Sequence, residues 1–336
     1  MSSSNIYVIA EIGQAHDGSL GILHSYIDAI STTGVNAIKF QTHIAEAESS
    51  PHEPFRKKFS YEDLTRQDYW RRMEFTPDQW AGIKEHCEIV GLEFLSTPTC
   101  VAALDLLESL GVRRFKIGSG DLDNFLLLEH VSRARKQVIL SSGISSFDEL
   151  DATVLFLEKK GCSMVLMQST SEYPVSAERL GLNLIPQFKK RYRHPIGLSD
   201  HSGSLFPSLA AVALGATYIE THVVFDRRMF GPDSTASITI DELRQLMAGV
   251  HMVERSMFSD FDKICSTDQE RTRSMFRKSL SVSRALPAGT ILQLDHLESK
   301  KPSGFGIPAR DYAQVIGKKL RRSCAKWEFL RGEDIE

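Results

Sequence analysis

His201 closes the segment HPIGLSDH and His222 closes GATYIETH, so each imidazole follows a short aliphatic run that reads as a β-strand. Imidazole is the commonest metal ligand in proteins. A lone histidine at a strand end is more often a hydrogen-bonded structural residue, but two at the ends of consecutive strands can share one divalent ion. Such a pair would suit Mn²⁺, Mg²⁺ or Co²⁺, the open positions being filled by water and substrate oxygens. Two histidines with no third protein ligand make an exchangeable site, the kind used in catalysis. Asp200 and Glu220 lie close by in sequence and could orient the rings.

A second group is cationic. Lys39 (in AIK) and Lys116 (in RFK) each follow apolar strand residues, which aims both ammonium groups into one space. Together with the hydroxyls of Thr97, Ser119, Ser141 and Ser199 they make a pocket for a small phosphorylated, carboxylated anion. Taken singly, either lysine is better read as half of a buried ion pair with Glu11 or Glu220. Two of them on neighbouring even-numbered strands, inside a ring of hydroxyls, favour binding. His16, in QAHDG, could contact a substrate or cap the helix that follows. His24, His86, His130, His251 and His296 fall in helix-like or distal segments and read as structural or solvated. The basic clusters Arg56 to Lys58, Arg71 and Arg72, and Lys318 to Arg322 read as solvated faces.

The frame that must carry these residues repeats one phrase: a helix-like segment ends at a glycine and a β-branched run follows. It appears from Gly34, Gly91, Gly111, Gly161 and Gly215, each glycine suiting the left-handed position that closes a helix. IYVIAEIG at the start, QVILSSG near residue 140 and HPIGLSD near residue 197 bring the candidate strands to eight. Between them lie segments of helical period, such as the face made by Leu20, Leu23, Tyr26, Ile27 and Ile30. Eight alternating βα units without a GxGxxG fingerprint predict a closed (β/α)8 TIM barrel, whose reactive groups sit at the C-terminal ends of its strands. Nearly every strand here ends in a polar or ionisable residue on that face.

Two regions break the rhythm. Roughly residues 42–75 form a polar and aromatic insertion, a length that inside a compact domain is either functional or disordered. Residues 256–275 read as a polar linker after a last barrel helix ending near Glu254. The predicted organisation is therefore a barrel over 1–255, a linker over 256–275 and a small β-rich unit over 276–336. A barrel takes roughly 250 residues, and the 336 of this chain leave room for such an appendage.

Composition excludes several classes. A net charge of −3 provides no basic field to hold nucleic acid or an anionic membrane, so an anionic substrate must be caught by a few placed lysines. Five scattered cysteines, with no CxxC pair, argue against a disulfide framework and a structural zinc. The N-terminus lacks the pattern of a signal peptide and SLAAVALGA is too short to span a bilayer, which predicts a cytoplasmic protein.

The motifs AEIGQAHDG (10–18), IKFQTH (38–43), FLSTP (94–98), KIGSGD (116–121), LSSG (140–143), TSEYP (170–174), IGLSDH (196–201), ETH (220–222) and GPD (231–233) together resemble the sialic acid synthase family. The segment from SLSVSRALPAGTILQLDHLESKKP to VIGKK resembles the antifreeze-protein-like (SAF) domain that closes those enzymes. The resemblance implies condensation of phosphoenolpyruvate with an open-chain N-acylated hexosamine of the mannosamine type, giving a nine-carbon 2-keto sugar acid and phosphate. It implies that Lys39, Thr97, Lys116, Ser119, Ser141 and Ser199 hold phosphoenolpyruvate and that His201 and His222 hold the metal. Glu11, Tyr173 and Asp233 would contact the sugar or metal-bound water, and Asp121 would serve as general acid or base. It further implies a head-to-tail, domain-swapped homodimer in which one chain's small domain covers the other's site.

Four positions depart from the family pattern. Ala15 stands where asparagine is usual, Asp121 where glutamate is common, and Ser171 where some members carry asparagine near the substrate carboxylate. Lys301 replaces an arginine that meets the N-acyl group, losing its planar fork. The sugar thus stays open among N-acetylmannosamine, its 6-phosphate and the precursors of legionaminic or pseudaminic acid. A Schiff-base aldolase using Lys116 or Lys39 and a non-catalytic sugar-binding barrel are the readings from other classes.

Overall fold

The five glycines predicted to close helices all adopt the left-handed conformation, with φ of +86° at Gly34, +81° at Gly91, +72° at Gly111, +75° at Gly161 and +92° at Gly215. A side chain is strained at such an angle, so each glycine ends its helix and returns the chain to the sheet. The strands that result are β1 (Tyr7–Glu11), β2 (Ala37–Thr42), β3 (Glu93–Pro98), β4 (Arg114–Ile117), β5 (Gln137–Ser141), β6 (Met164–Ser169), β7 (Ile196–Asp200) and β8 (Tyr218–Val224). They pair in parallel in the order β3-β2-β1-β8-β7-β6-β5-β4, and a short β9 (Ile238–Thr239), absent from the sequence reading, adds to β8. At the seam between β3 and β4 the guanidinium of Arg114 meets Glu93 at 2.8 Å. This is the expected (β/α)8 barrel.

The computed structural model describes residues 6–57, 59–257, 259 and 267–336. In chain order its helices are α1 (Leu20–Ser31), α2 (Ala45–Glu48), α3 (Arg66–Met73), α4 (Pro77–Ile89), α5 (Val101–Ser109), α6 (Phe125–Arg133), α7 (Phe147–Lys159), α8 (Leu184–Arg191), α9 (Phe206–Ala213), α10 (Ile240–Met257) and α11 (Thr267–Phe276). In α1 the predicted face is the buried one: Leu23, Tyr26, Ile27 and Ile30 pack on the sheet, and the Ser19 hydroxyl caps the first turn.

Alternate residues of each strand face the barrel axis and sort into layers. The lowest layer is a polar and aromatic floor. There the Tyr7 hydroxyl donates to Glu93 at 2.7 Å, and Arg114 lies 4.7 Å from the Tyr7 ring and donates to Gln137 at 2.7 Å. Above it Ile9, Ala37, Leu95, Ile139, Val165 and Met167 form an apolar plug. Gly197 belongs to this level, because a Cβ there would lie 2.5 Å from the Tyr218 carbonyl oxygen. A third, polar layer follows, and with it the chemistry.

The insertion over 42–75 carries α2 and α3. Thr65 and Asp68 cap α3 reciprocally, and Tyr69, Trp70 and Met73 pack with Ala45, Phe55 and Phe59 into a separate apolar cluster. Lys58 lies outside the described residues.

The chain divides into two compact units, Met1–Ser259 and Asp260–Glu336. In the second, β10 (Ser279–Val282) pairs antiparallel with β11 (Leu297–Lys300) over a core that includes Leu280, Val282, Leu292, Leu320 and Leu330. In the stretch read as a linker, α11 occupies the last residues, and residues 258 and 260–266, Cys265 among them, lie outside the described residues. Cys87, Cys100, Cys162 and Cys324 are free thiols. No helix among the described residues is long and apolar enough to cross a membrane.

Candidate active site

The polar layer above the plug is formed by Glu11, Lys39, Lys116, Ser141, Ser199 and Glu220, all buried. Lys39 Nζ sits 2.8 Å from Glu11 and 3.7 Å from Glu220, while Lys116 Nζ sits 2.8 Å from Glu220. The ion pairs weighed for each lysine are therefore formed, and the cluster is neutral, two ammonium groups against two carboxylates. The lysines are not equivalent. Burial lowers the pKa of both, but Glu11 and Glu220 more than offset this at Lys39, whereas Lys116 touches one carboxylate, is repelled by Lys39 and stays below its ordinary value. Burial likewise opposes ionisation of Glu220, yet Lys116 and Lys39 outweigh it and hold the carboxyl at about 2.

Donors remain for a ligand. Among the described residues Lys116 hydrogen-bonds only to Glu220, leaving N–H groups for the cleft. The Ser141 hydroxyl is buried with no hydrogen-bond partner among the described residues. Thr97 accepts weakly from Lys39 at 3.4 Å, and Ser199 donates to Glu220 at 3.1 Å. Ser119 and Ser171 share a 2.8 Å hydrogen bond at the rim. Gly143 makes room for it, because a Cβ there would lie 2.3 Å from the Ser171 hydroxyl and 2.4 Å from that of Ser119.

At the mouth His201 and His222 stand 5.3 Å apart between ring centroids, tilted by 66°. His201 Nδ1 donates to the Thr170 carbonyl at 2.7 Å, so its Nε2 carries the lone pair, 3.1 Å from the Tyr173 hydroxyl. Burial first, then the nearby His222, pushes the His201 pKa down to about 3, leaving a neutral imidazole. His222 makes no hydrogen bond among the described residues. Two imidazoles with available nitrogens fit a divalent cation, and no third His, Cys, Asp or Glu joins them in a ligating group among the described residues. Tyr173 stacks on His201 at 4.1 Å, and burial, with Asp233 adding to it, drives the phenol pKa upward, so it stays protonated.

Orientation of the rings differs from the sequence reading. Asp200 points out of the barrel, where the Ser202 N–H and the Ser208 hydroxyl donate to it, and Glu220 serves the lysines. It is the Thr170 carbonyl that fixes His201. The odd-even alternation of β7 dictates this: Ser199 and His201 face in, Asp200 faces out. His16 is a turn residue, its buried Nδ1 accepting from the Gly18 N–H at 3.0 Å.

Asp121 lies on a short 3₁₀ turn with Ser119, accepts from Asn124 at 3.0 Å, and has its pKa raised by burial. Asp233 follows β8 and meets Arg56 at 2.6 Å, while the Arg56 guanidinium lies 4.2 Å from the Tyr173 ring. Arg56 is thus no solvated face but part of the mouth. Arg72 is also engaged, bridging Asp17 at 2.6 Å and Asp63 at 2.8 Å. Lys301 lies in the second unit, its ammonium 4.8 Å from the Phe276 ring.

The lysine–carboxylate layer, the two histidines, Tyr173, Asp121 and Arg56 line one cleft of about 670 Å³, whose far wall is the insertion: His43, Glu48, Glu53, Arg66 and Trp70; Asp233 is outside that lining. None of these five was assigned a role from sequence, where the length of the insertion marked it only as functional or disordered.

Residues 26–285 match the model of the NeuB family and residues 277–336 that of the SAF domain. The chain is 30% identical to an N,N'-diacetyllegionaminic acid synthase of Campylobacter jejuni over 96% of its own length and 98% of that protein. It is 31% identical to the human N-acetylneuraminate-9-phosphate synthase over 94% and 88% of the two chains. Its fold resembles the N-acetylneuraminic acid (sialic acid) synthetase of Leptospira borgpetersenii solved with citrate, with a TM-score of 0.70, 30% identity and coverage of 80% and 90%.

Proposed function

Since the chain belongs to the NeuB family and ends in a SAF domain, we propose that it condenses phosphoenolpyruvate with an open-chain N-acylated hexosamine, yielding a nine-carbon 2-keto sugar acid and phosphate. N-acetylmannosamine is the favoured acceptor. Its 6-phosphate and a diacetamido-trideoxy hexose, as for legionaminic or pseudaminic acid, would undergo the same chemistry. The observation that carries the reading is the convergence of a Ser141 hydroxyl unpartnered among the described residues, a lysine with spare N–H groups and two imidazoles on one cleft above an apolar plug.

In this reading the deep end of the cleft takes phosphoenolpyruvate, with Lys39 and Lys116 and the hydroxyls of Thr97, Ser119, Ser141 and Ser199 receiving its phosphate and carboxylate. Ser171 lies beside Ser119 and would join them at the carboxylate. His201 and His222 would hold a divalent metal, Mn²⁺ first, which supplies Lewis acidity toward the acceptor carbonyl. Glu11, Tyr173 and Asp233 would orient the sugar from the mouth. The methylene carbon of phosphoenolpyruvate then forms a bond to the aldehyde carbon, water adds to the oxocarbenium carbon left behind, and phosphate departs as that carbon becomes the ketone. Asp121 would move a proton for ring opening or water addition, a role supported by the burial that raises its pKa above the ordinary carboxylate value.

The competing reading is a Schiff-base aldolase through Lys116, favoured by the burial that lowers its pKa and opposed by its pairing with Glu220. We also propose the head-to-tail homodimer, with Lys301 of the small unit meeting the N-acyl group in a partner's site; a monomer in analytical ultracentrifugation at assay concentration would end that proposal. The deciding experiment is phosphate release from phosphoenolpyruvate with Mn²⁺, assayed across the three acceptors. Release with one acceptor, abolished by chelator, supports the synthase. Chelator-insensitive activity with borohydride trapping of a pyruvate adduct supports the aldolase instead.

A further inference from the structure

His43, in the motif IKFQTH, has no part in the reaction as written above, and it is 4% exposed. Its surroundings follow from Glu11. One oxygen of that carboxylate meets Lys39 at 2.8 Å and the other accepts from the Gln41 side-chain nitrogen at 2.8 Å. The Gln41 amide is thereby fixed, since reversing it would set oxygen against oxygen. Its own oxygen then accepts from Gln14 Nε2 at 2.7 Å, and the same nitrogen lies 3.1 Å from His43 Nε2. An amide NH₂ has only donors to offer, so His43 Nε2 must carry the lone pair and the ring proton must sit on Nδ1. There it meets Glu48 Oε1 on α2 at 2.7 Å. The ring cannot swing, because it stacks on Trp70 at 4.2 Å between centroids with 14° between planes.

Five side chains thus form one directed hydrogen-bond chain, from the insertion to the carboxylate beside the mouth. We propose that His43 is a positioning residue: held by Glu48 as the Nδ1–H tautomer, it keeps Gln14, Gln41 and Glu11 in a single donor–acceptor order and so presents Gln41 and Glu11 to the acceptor in one orientation. Its function depends on the synthase reading; its geometry does not. An apolar side chain at residue 43 leaves the Gln14 amide and the Glu48 carboxylate without partners, and the order beyond them is free to reverse.

The test compares His43→Leu with His43→Gln in the full-length protein, both checked for native circular dichroism. The Gln oxygen can stand in for Nε2 as acceptor. His43→Leu is expected to raise KM for the acceptor by about tenfold or more while KM for phosphoenolpyruvate changes less than about twofold, and His43→Gln is expected to recover most of the loss. Equal rises in both KM values, or unchanged values for His43→Leu, overturn the proposal. Should the wild type condense no acceptor, the synthase reading fails, and ¹⁵N NMR of the His43 ring still decides the relay. The Nδ1–H tautomer in the wild type, lost in Glu48→Leu, supports it. An Nε2–H tautomer, or a ring unmoved by Glu48→Leu, refutes it.

Discussion

Replacing Glu220 by Gln removes one of four buried charges with little change of shape. Its carboxylate lies 2.8 Å from Lys116 and 3.7 Å from Lys39. At an effective dielectric constant of about 20 the two attractions are worth about 6 and 4 kcal/mol before the cost of desolvating the carboxylate. Breaking a buried pair on one side leaves an uncompensated charge and costs about 3–5 kcal/mol net. A lysine limits that cost, because giving up its proton at pH 7 costs about 5 kcal/mol from an ordinary pKa. The barrel transition should therefore fall by about 3–5 kcal/mol, or roughly 6–20 °C, followed by far-UV circular dichroism, since the two units can unfold separately.

The pH dependence carries a sign. In the wild type Glu220 titrates near 2, below its unfolded value, so its stabilisation is present above the ordinary carboxylate range and lost as pH falls toward 2. In Glu220→Gln, Lys116 has a folded pKa depressed still further; the penalty of charging it is full at neutral pH and fades as pH rises toward the ordinary lysine value. The gap between variant and wild type should narrow from pH 7 upward. A loss under about 1 kcal/mol at pH 7, or a gap that widens with pH, would refute the reasoning.

Ser141→Ala removes a buried hydroxyl that has no partner among the described residues, so the protein should gain up to about 1 kcal/mol in urea unfolding while KM for phosphoenolpyruvate rises about tenfold or more; a fall in stability would mean that the hydroxyl is bonded within the chain. His222→Ala should cut turnover by about 10³-fold or more with unfolding little changed, because the ring holds no hydrogen bond among the described residues; near-normal turnover would sink the metal assignment. His16 has its pKa pushed down to about 3, by burial first and then by His43 and Arg72. Unfolding therefore takes up a proton that the folded state refuses, and stability should drop by about 1.4 kcal/mol per unit as pH falls from 6.5 toward 3. His16→Asn, whose side-chain oxygen can still accept from Gly18, should flatten that slope; equal slopes would exclude His16 as its source.

The barrel was legible because its signals are local and periodic. A glycine at positive φ closes five of the barrel helices, and strand alternation puts Lys39, Lys116, Ser199 and Glu220 on the interior face. The pairing of those charges was visible only as alternatives, since sequence does not say which carboxylate lies across the barrel from which lysine. Asp200 was misread by proximity: one residue along a strand is the opposite face. Arg56 was misread as solvated, and Trp70, His43 and Glu48 were given no role, because they belong to an insertion whose path depends on its own aromatic cluster, and no period reports that. Thr170 was missed as the group orienting His201 because it acts through a backbone carbonyl, which every residue has.

The floor formed by Tyr7, Arg114, Glu93 and Gln137, with the apolar plug above it, makes the cleft a blind shaft with one doorway. Cargo in such a shaft is stacked: whatever rests on Lys116 is loaded first and unloaded last. An acceptor that arrives early parks in the doorway and bars the deeper guest, so excess acceptor should slow the protein in competition with the anion. If the proposed condensation takes place there, bulk water can reach the new bond from one side only.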